Sequence, residues 1–178
     1  MVDGAAFNQW SKREQLQHCG WDNVNALYTR SALVEHAFDD VRFGEDMRWA
    51  KGWLERGGRI GYAFHCKVWH YHHHHGDYTY RRALNTIYWR WKTFHVIPPL
   101  PAPPSQRTGI RILLGLVWHN HIFHIFHLWQ WWQYNWRKAK HAAHAGRDFT
   151  AALSKGPEHA DHLYESLGQS SPMATKKS

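Results

Sequence analysis

The proline-rich segment IPPLPAPPSQ at residues 97–106 is the strongest constraint on how this chain can fold. Proline fixes φ and has no amide hydrogen, so neither a helix nor an inner strand runs through such a segment. The segment therefore predicts a linker or wrapping stretch that divides the chain. We expect a globular part over residues 1–97, a proline-rich linker over 98–108, a Trp- and His-rich helical tail over 109–145, and a polar, partly disordered tail over 146–178.

The charge balance points to an acidic partner. Lysine and arginine number 22 against 14 aspartate and glutamate residues, which gives a formal charge of +8. This excess fits phosphate groups or an anionic membrane surface and does not choose between them. Cys19 and Cys66 are too few and too distant for a disulfide framework, and the N-terminus lacks signal-peptide features. Together these features favour the cytoplasm.

Local patterns in the globular part predict two helices. Ser31 is the predicted N-cap of a short helix through ALVEHAF. A second helix fits EDMRWAKGWLERG at residues 45–57, where Gly57 or Gly58 is suited to end it in a left-handed conformation. The apolar face of that second helix is formed by Met47, Ala50 and Leu54.

A strand and a histidine-rich run follow the second helix. Ile60, Tyr62 and Phe64 alternate with Gly61, Ala63 and His65, and this period of two predicts a strand. The run HCKVWHYHHHHGD then occupies residues 65–77. This run follows the end of the predicted strand, and side chains at such positions often reach into clefts.

The acidic pair Glu45 and Asp46 stands at the predicted start of the second helix. The partial positive charge at a helix N-terminus favours an ionised carboxylate there. Two interpretations of the pair stay open at this point. The carboxylates either cap the helix or perform acid–base chemistry in a cleft.

Several short motifs occur in a definite order over residues 20–85. They comprise Asn23, Asn25, Ala26, Arg30 and Ser31; Phe38 and Asp39 with Glu45 and Asp46; Trp49, Ala50, Leu54, Gly57, Ile60 and Tyr62; and Val68, His70 and His72. In this order they resemble the C-terminal half of the catalytic domain of family 2 glycosyltransferases, which are inverting enzymes with a nucleotide-sugar-binding α/β fold. The closest likeness is to the rhamnosyltransferase-like members that build bacterial surface polysaccharides.

The resemblance implies a fold and a set of site residues. The fold class is α/β, here an α+β fragment forming the C-terminal half of a glycosyltransferase A-type fold with appended helices. Asp46 is implied to be the base that takes the proton from the acceptor hydroxyl, and Glu45 to orient it or to contact the acceptor. The implied substrate-binding residues are Asn23, Asn25, Arg30 and Trp49.

The resemblance also implies a divalent metal that compensates the charge of the leaving diphosphate. His70 is the candidate ligand and His72 the second. A site of hard oxygen ligands with one imidazole favours Mn or Mg over zinc. The three histidines that follow fit a solvated loop. The alternative function is a histidine-rich metal-binding protein that uses residues 65–75.

The first half of the family's domain, with its strand–helix repeats and acidic metal motif, has no counterpart in this sequence. We therefore expect a fragment or one part of a split protein, with little transferase activity alone. The implied partners are a nucleotide-diphosphate sugar donor, a saccharide or lipid-linked acceptor, and a separate N-terminal half.

Residues 112–136 contain no Asp, Glu, Lys or Arg and are long enough to cross a bilayer. Their histidines and amides make a poor spanning helix, because polar groups at the bilayer centre are costly. Their tryptophans and the basic RKAKHAAH that follows favour an interfacial helix beside anionic lipids on the inner face of the membrane. A helix packed on the catalytic half explains the same pattern equally well.

Two further site types are disfavoured by the tail and by the segment before the prolines. His121, His124 and His127 follow one another at i, i+3, but no carboxylate or cysteine lies near enough in sequence to complete a metal site. Aromatic residues around Arg90 could stack on single-stranded nucleic acid. The segment YRRALNTIYWRWK, however, spaces them as a buried helix does, so we expect no nucleic-acid partner.

Overall fold

The computed structural model describes residues 1–19, 26–41, 43–63, 76–97, 99–100, 102–120 and 125–168. The described chain is mainly helical, with a small two-stranded sheet. Its elements are β1 (Val2–Asp3), α1 (Gly4–Phe7), α2 (Lys12–His18), α3 (Arg30–Glu35), α4 (Glu45–Glu55), β2 (Arg59–Ile60), α5 (Gly76–Phe94), α6 (Gln106–Asn120), α7 (Ile125–Leu153) and α8 (Pro157–Gly168). The expected mixture of helices and strands is confirmed in this coarse form.

The chain divides into two compact units. The first unit comprises Met1–His73 with Trp89–Ile97, and the second comprises His74–Tyr88 with Pro98–Ser178. One division therefore falls within α5, between Tyr88 and Trp89, and another falls at the start of the proline-rich segment.

The sheet of the first unit is shorter than the alternation of apolar residues predicts. β1 and β2 pair antiparallel, with Val2 opposite Ile60 and Asp3 opposite Arg59. The pairing is limited to two residues because the chain turns into α1 at Gly4, and no other strand in the described ranges pairs with β2. Tyr62 lies beyond β2, and its hydroxyl donates to the carbonyl oxygen of His18 at 2.6 Å. Phe64 lies outside the described residues.

The short helix α3 begins two residues earlier than the sequence predicts. Thr29, not Ser31, is the N-cap, and its Oγ1 accepts from the amide of Ala32 at 3.3 Å. Ser31 is the second helical residue, and its hydroxyl donates to Thr29 Oγ1 at 3.2 Å. The extended backbone of Thr29, with ψ 144°, places its side chain over the first turn, which is the geometry a cap requires.

The helix α4 confirms the prediction made for residues 45–57. It runs from Glu45 to Glu55 and buries Trp49, Ala50 and Leu54. Gly57 follows with φ 84°, the left-handed conformation expected after a helix end. The amide of Gly57 donates to Leu54 O at 2.9 Å, and that of Gly58 to Trp53 O at 3.0 Å. These two bonds satisfy carbonyls that the end of the helix leaves open.

The core of the first unit collects apolar side chains from all its elements. Phe7, Cys19, Ala50, Leu54 and Phe94 are fully buried there. The remaining buried members of the core are Val2, Ala32, Trp49 and Ile60. Gln15 is buried beside them and donates from Nε2 to Phe7 O at 2.9 Å, so its amide is satisfied. The aromatic Phe94 comes from the end of α5.

The second unit is built from the part of α5 up to Tyr88, together with α6, α7 and α8. Leu84, Ile87 and Tyr88 on α5 are buried at i, i+3 and i+4 spacing, which confirms the buried helix predicted from YRRALNTIYWRWK. Tyr88 donates to Asp161 Oδ1 at 2.8 Å and stacks on Tyr164, with ring centroids 4.1 Å apart. The hydrogen bond and the ring contact therefore join α8 to α5 within the second unit.

The segment predicted to be a polar tail contains two helical stretches over its described part. α7 continues to Leu153, and α8 starts at Pro157 after a break at residues 154–156. Phe149 and Ala160 are fully buried, so apolar packing holds these stretches in the second unit. The break matches the KGP in the sequence: Gly156 has φ 138°, and Pro157 takes the first helical position.

The predicted linker differs at its end. Residues 99–100 and 102–105 form neither helix nor strand, and α6 starts at Gln106. Ser105 caps it, because its Oγ accepts from the amide of Thr108 at 3.4 Å while Thr108 Oγ1 accepts from the amide of Ser105 at 3.1 Å. None of the helices in the described ranges has both the length and the apolar character that crossing a membrane requires.

Candidate functional site

The acidic pair lies in the first turn of α4 and not at its cap. The N-cap is Gly44, with φ 76° and no side-chain cap bond. Glu45 and Asp46 are the first two helical residues, and Asp46 Oδ1 accepts from the amide of Met47 at 2.7 Å. The interpretation of the pair as N-cap residues is therefore wrong. Both carboxylates lie where unpaired amides favour negative charge.

The Phe38–Asp39 motif packs against α4. Asp39 Oδ2 accepts from Arg48 Nε at 2.7 Å and lies 2.7 Å from Arg48 Nη2, so the guanidinium holds the carboxylate through two nitrogens. Phe38 stacks on Trp49 with ring centroids 5.6 Å apart. Two motifs that are separate in the sequence therefore meet on one helix.

Trp49 is the centre of an aromatic cluster. Four rings surround it: Tyr28 at 4.7 Å, Phe38 at 5.6 Å, His36 at 5.7 Å and Trp53 at 5.8 Å between centroids. The indole Nε1 of Trp49 donates to His36 O at 2.6 Å. Trp49 is only 4% exposed, so it is a core residue whose polar group is already engaged.

An open cleft of about 460 Å³ lies beside this cluster in the first unit. It is bounded by α3, by the second half of α4 and by the turn that leads into β2. Its lining residues are Leu27, Tyr28, Thr29, Ala32, Glu35, Trp49, Trp53, Arg56, Gly57, Gly58, Arg59, Ile60 and Gly61. The volume lies in the range typical of small-molecule sites, and aromatic walls with a few charged groups are typical of their lining.

Two of the polar side chains that line the cleft donate hydrogen bonds to backbone carbonyl groups. Arg56 Nη1 donates to Gly52 O at 2.9 Å, which holds the guanidinium along the last turn of α4. Trp53 Nε1 donates to Arg59 O at 3.3 Å and thereby supports the turn into β2. Glu35 is exposed at the end of α3 and presents a carboxylate acceptor to the cleft.

The geometry of α4 connects the acidic pair to the cleft. Asp46, Trp49, Trp53 and Arg56 are separated by three, four and three residues, which places them on one helical face. From Asp46 to Arg56 the axis rises by about 15 Å. A carboxylate, two aromatic rings and a guanidinium therefore follow one another along a single stripe that ends in the cleft.

The remaining residues predicted for the site are placed as follows. Arg30 is the first residue of α3, is exposed, and does not belong to the lining of the cleft. Asn23, Asn25, His70 and His72 lie outside the described residues, as do the side chains of the tail histidines His119, His121, His124 and His127. The cleft residues that sequence reasoning missed are Tyr28, Glu35, Trp53 and Arg56. Trp53 and Arg56 follow Trp49 at i+4 and i+7, and this spacing could have placed them on the same helical face. Nothing in the sequence indicates that Tyr28 and Glu35 reach the cleft.

Metal and nucleophile candidates among the described residues are few. In the described ranges, no group of three His, Cys, Asp or Glu side chains is arranged to hold a metal ion. Cys19 is buried, and burial raises the pKa of its thiol to about 12 despite the nearby Lys51. Because the thiolate is the reactive form, Cys19 is a core residue and not a nucleophile at neutral pH.

Comparison of the chain with protein-family models, with curated proteins and with solved structures finds no match.

Proposed function

We propose that the first unit is the acceptor-binding part of an inverting glycosyltransferase, with Asp46 as the general base and the cleft as a saccharide subsite. The observation that carries the proposal is the stripe of Asp46, Trp49, Trp53 and Arg56 along α4. It joins a carboxylate at a helix N-terminus to an aromatic-walled cleft. The motif order that suggested the family supplies its second support.

The chemistry assigned to the stripe is a single displacement. Asp46 accepts the proton of an acceptor hydroxyl while the hydroxyl oxygen forms a bond to C1 of the donor sugar. The bond between C1 and the diphosphate oxygen breaks on the opposite face, and the nucleoside diphosphate leaves with the electron pair. His70 and His72 stay the proposed ligands of a Mn or Mg ion, which would compensate the charge of that leaving group.

The cleft suits a saccharide for physical reasons. The apolar face of a pyranose ring packs on aromatic side chains such as Trp53 and Tyr28, while its hydroxyl groups need donors and acceptors. Glu35 provides an acceptor, and Arg56 and Arg59 provide donors. The lining contains both aromatic rings and charged groups, so it meets both requirements.

Binding to the full chain is the primary test. Saturation-transfer NMR with methyl hexosides at millimolar concentration is expected to detect contact with the aromatic protons of the cleft. Trp53→Ala is expected to weaken binding about tenfold through loss of the stacking surface. Glu35→Gln, at an exposed position, weakens binding without disturbing the fold. The matched control is Trp131→Ala, which removes an exposed indole from the second unit.

The outcomes separate clearly. Binding that Trp53→Ala and Glu35→Gln both reduce, and that Trp131→Ala leaves unchanged, supports the saccharide subsite. Absence of saccharide binding, or equal binding by all variants, removes it. Circular dichroism of each variant establishes that the helices are retained.

Turnover gives a second test. With UDP- or dTDP-sugars and Mn, the chain alone is expected to show little transfer, and efficient transfer would contradict that expectation. When a nucleotide-sugar-binding half is supplied, Asp46→Asn is expected to lower kcat by about 10²–10⁴ with α4 intact, because the amide cannot accept the proton. Unchanged kcat in Asp46→Asn would exclude it as the base.

A further inference from the structure

A long segment that contains α6 and most of α7 has no acidic residues. From Tyr78 to Arg147 the chain contains no Asp or Glu, whereas it contains ten Lys and Arg residues. This segment therefore carries a formal charge of +10 that no acid within it offsets. Positive charge of this kind attracts an extended anionic surface.

The outer face of α6 combines this charge with exposed apolar side chains. Arg107, Ile110, Arg111 and Leu114 follow i, i+3, i+4 and i+7 spacing and are all exposed. Ile110 is 58% and Leu114 is 63% exposed. Basic and aliphatic side chains therefore share one helical face that the second unit leaves uncovered.

The opposite face of α6 is used for packing against α7. Gly109 is buried, and a Cβ at this position would lie 3.2 Å from Trp136 and 3.5 Å from Trp132. Trp132 Nε1 also donates to Gly109 O at 3.1 Å. The contact fixes the rotation of α6 about its axis, so the outward direction of Ile110 and Leu114 is determined by packing at Gly109.

α7 adds exposed indoles and more positive charge. Trp129 is 57% and Trp131 is 43% exposed, and Trp129 stacks on Trp132 with centroids 5.0 Å apart. A basic cluster follows within three turns, formed by the exposed Arg137, Lys138 and Lys140. Tryptophan is favoured where one end of a side chain meets hydrocarbon and the other meets water.

We propose that the outer face of α6 docks on a bilayer surface that carries anionic headgroups. Ile110 and Leu114 enter the boundary between headgroups and acyl chains, while Arg107 and Arg111 contact the phosphate groups. This mode lies along the membrane and does not cross it. The docking face belongs to the second unit and is independent of the function proposed for the first.

Charge complementarity alone would also fit a nucleic acid, but the apolar side chains favour the lipid. Contacts to a phosphate backbone use Arg and Lys and gain nothing from aliphatic groups between them. Insertion into a bilayer gains free energy from each apolar side chain that leaves water. The basic and aliphatic side chains that alternate on α6 therefore fit a bilayer, which has charged headgroups at its surface and apolar acyl chains beneath them.

The test is flotation of the full chain with vesicles of phosphatidylcholine alone and with 30% phosphatidylglycerol. Binding is expected only to the anionic vesicles and is expected to disappear at about 1 M NaCl, where the screening length falls to about 3 Å. The variant Arg107→Gln/Arg111→Gln is expected to lower the partition coefficient about 30-fold. Ile110→Gln/Leu114→Gln is expected to lower it about tenfold or more.

Matched controls make the same chemical changes elsewhere. Arg13→Gln/Lys155→Gln removes two exposed positive charges, and Val34→Gln/Ile97→Gln removes two exposed aliphatic side chains. Both controls are expected to bind as the unchanged chain does. Quenching of tryptophan fluorescence by lipids brominated on the acyl chain provides a readout on the unchanged chain that does not depend on any variant.

Each outcome decides the proposal. Anionic-selective flotation with bromolipid quenching, weakened by the α6 variants and not by the controls, supports it. Absence of flotation, equal binding to neutral vesicles, or equal losses in variants and controls overturns it. Binding to a single-stranded oligonucleotide without vesicle binding also overturns it and assigns the charge to nucleic acid.

Discussion

Trp49 Nε1 donates a 2.6 Å hydrogen bond to the carbonyl oxygen of His36, thirteen residues earlier in the chain. The imidazole of His36 stacks on the same indole and places Nε2 3.1 Å from the carbonyl oxygen of Trp49. This reciprocal contact joins the end of α3 to the middle of α4. It thereby sets the distance between the two helices that bound the cleft.

Replacing Trp49 tests the importance of that contact. Trp49→Phe keeps an aromatic ring but leaves His36 O without its donor and a small cavity in the core. We expect the free energy of unfolding to fall by about 2–4 kcal/mol. Urea-induced unfolding followed by circular dichroism measures the change. Trp131→Phe, at an exposed indole, is the control and is expected to stay within about 0.5 kcal/mol.

Gly4 is predicted to tolerate no side chain. A Cβ there would lie 2.3 Å from Leu54 O and 2.5 Å from Gly57 Cα, and both are backbone atoms. Its amide also donates to Gly58 O at 2.9 Å, so the backbone cannot retreat without losing this bond. We expect Gly4→Ala to lower the free energy of unfolding by about 1–3 kcal/mol or more.

Gly61→Ala is the matched control for Gly4→Ala. Among the described residues, and apart from its own chain neighbours, no atom lies within 4 Å of a Cβ built at Gly61. Because alanine also restricts the unfolded chain, this variant is expected to be neutral or to gain up to about 1 kcal/mol. Equal destabilisation of the two variants in urea unfolding would contradict the close backbone approach at Gly4.

High pH is expected to destabilise the second unit through Tyr88. Burial and the hydrogen bond to Asp161 raise the pKa of Tyr88 above its ordinary value of about 10. The unfolded chain then loses the phenolic proton before the folded chain does. The contribution of Tyr88 to the free energy of unfolding is therefore fully present below about pH 10. It falls as the pH rises from there toward the pKa of Tyr88 in the folded chain.

Tyr88→Phe isolates this contribution. Comparison of urea unfolding at pH 8 and at pH 11 gives the dependence of stability on pH. The variant is expected to be less stable at pH 8, because the bond to Asp161 is lost. Above pH 10, its free energy of unfolding is expected to fall less steeply with pH, by a slope that corresponds to up to about one proton. An unchanged slope would show that Tyr88 titrates alike in the folded and unfolded chains.

Cys19 is expected to resist alkylation in the folded protein. Its thiol is buried, and its pKa of about 12 leaves almost no thiolate at pH 8. In a Cys66→Ser background, we expect iodoacetamide to react about a thousandfold more slowly with the folded chain than with the urea-unfolded chain. Rapid reaction of the folded chain would place Cys19 outside the core.

The sequence determined those features that depend on neighbours a few residues away. The limits of α4 and its buried Ala50 and Leu54 follow from helical spacing, and Gly57 ends the helix because it accepts a left-handed φ at no steric cost. The break before α8 follows in the same way from Gly156 and Pro157. Within α4, the spacing of Asp46 from Trp49 already placed the acidic pair one turn from an aromatic residue.

Tertiary structure alone decided the features that join distant residues. β2 is short because its partner β1 turns into α1, and no local pattern at Ile60 reports the length of another segment. Tyr28 and Glu35 reach the cleft because Trp49 binds His36 and draws α3 onto α4. The outward direction of Ile110 and Leu114 is likewise set by the packing of Gly109 against Trp132. Helical periodicity identifies the faces of a helix, whereas only packing against a second element decides which face the solvent meets.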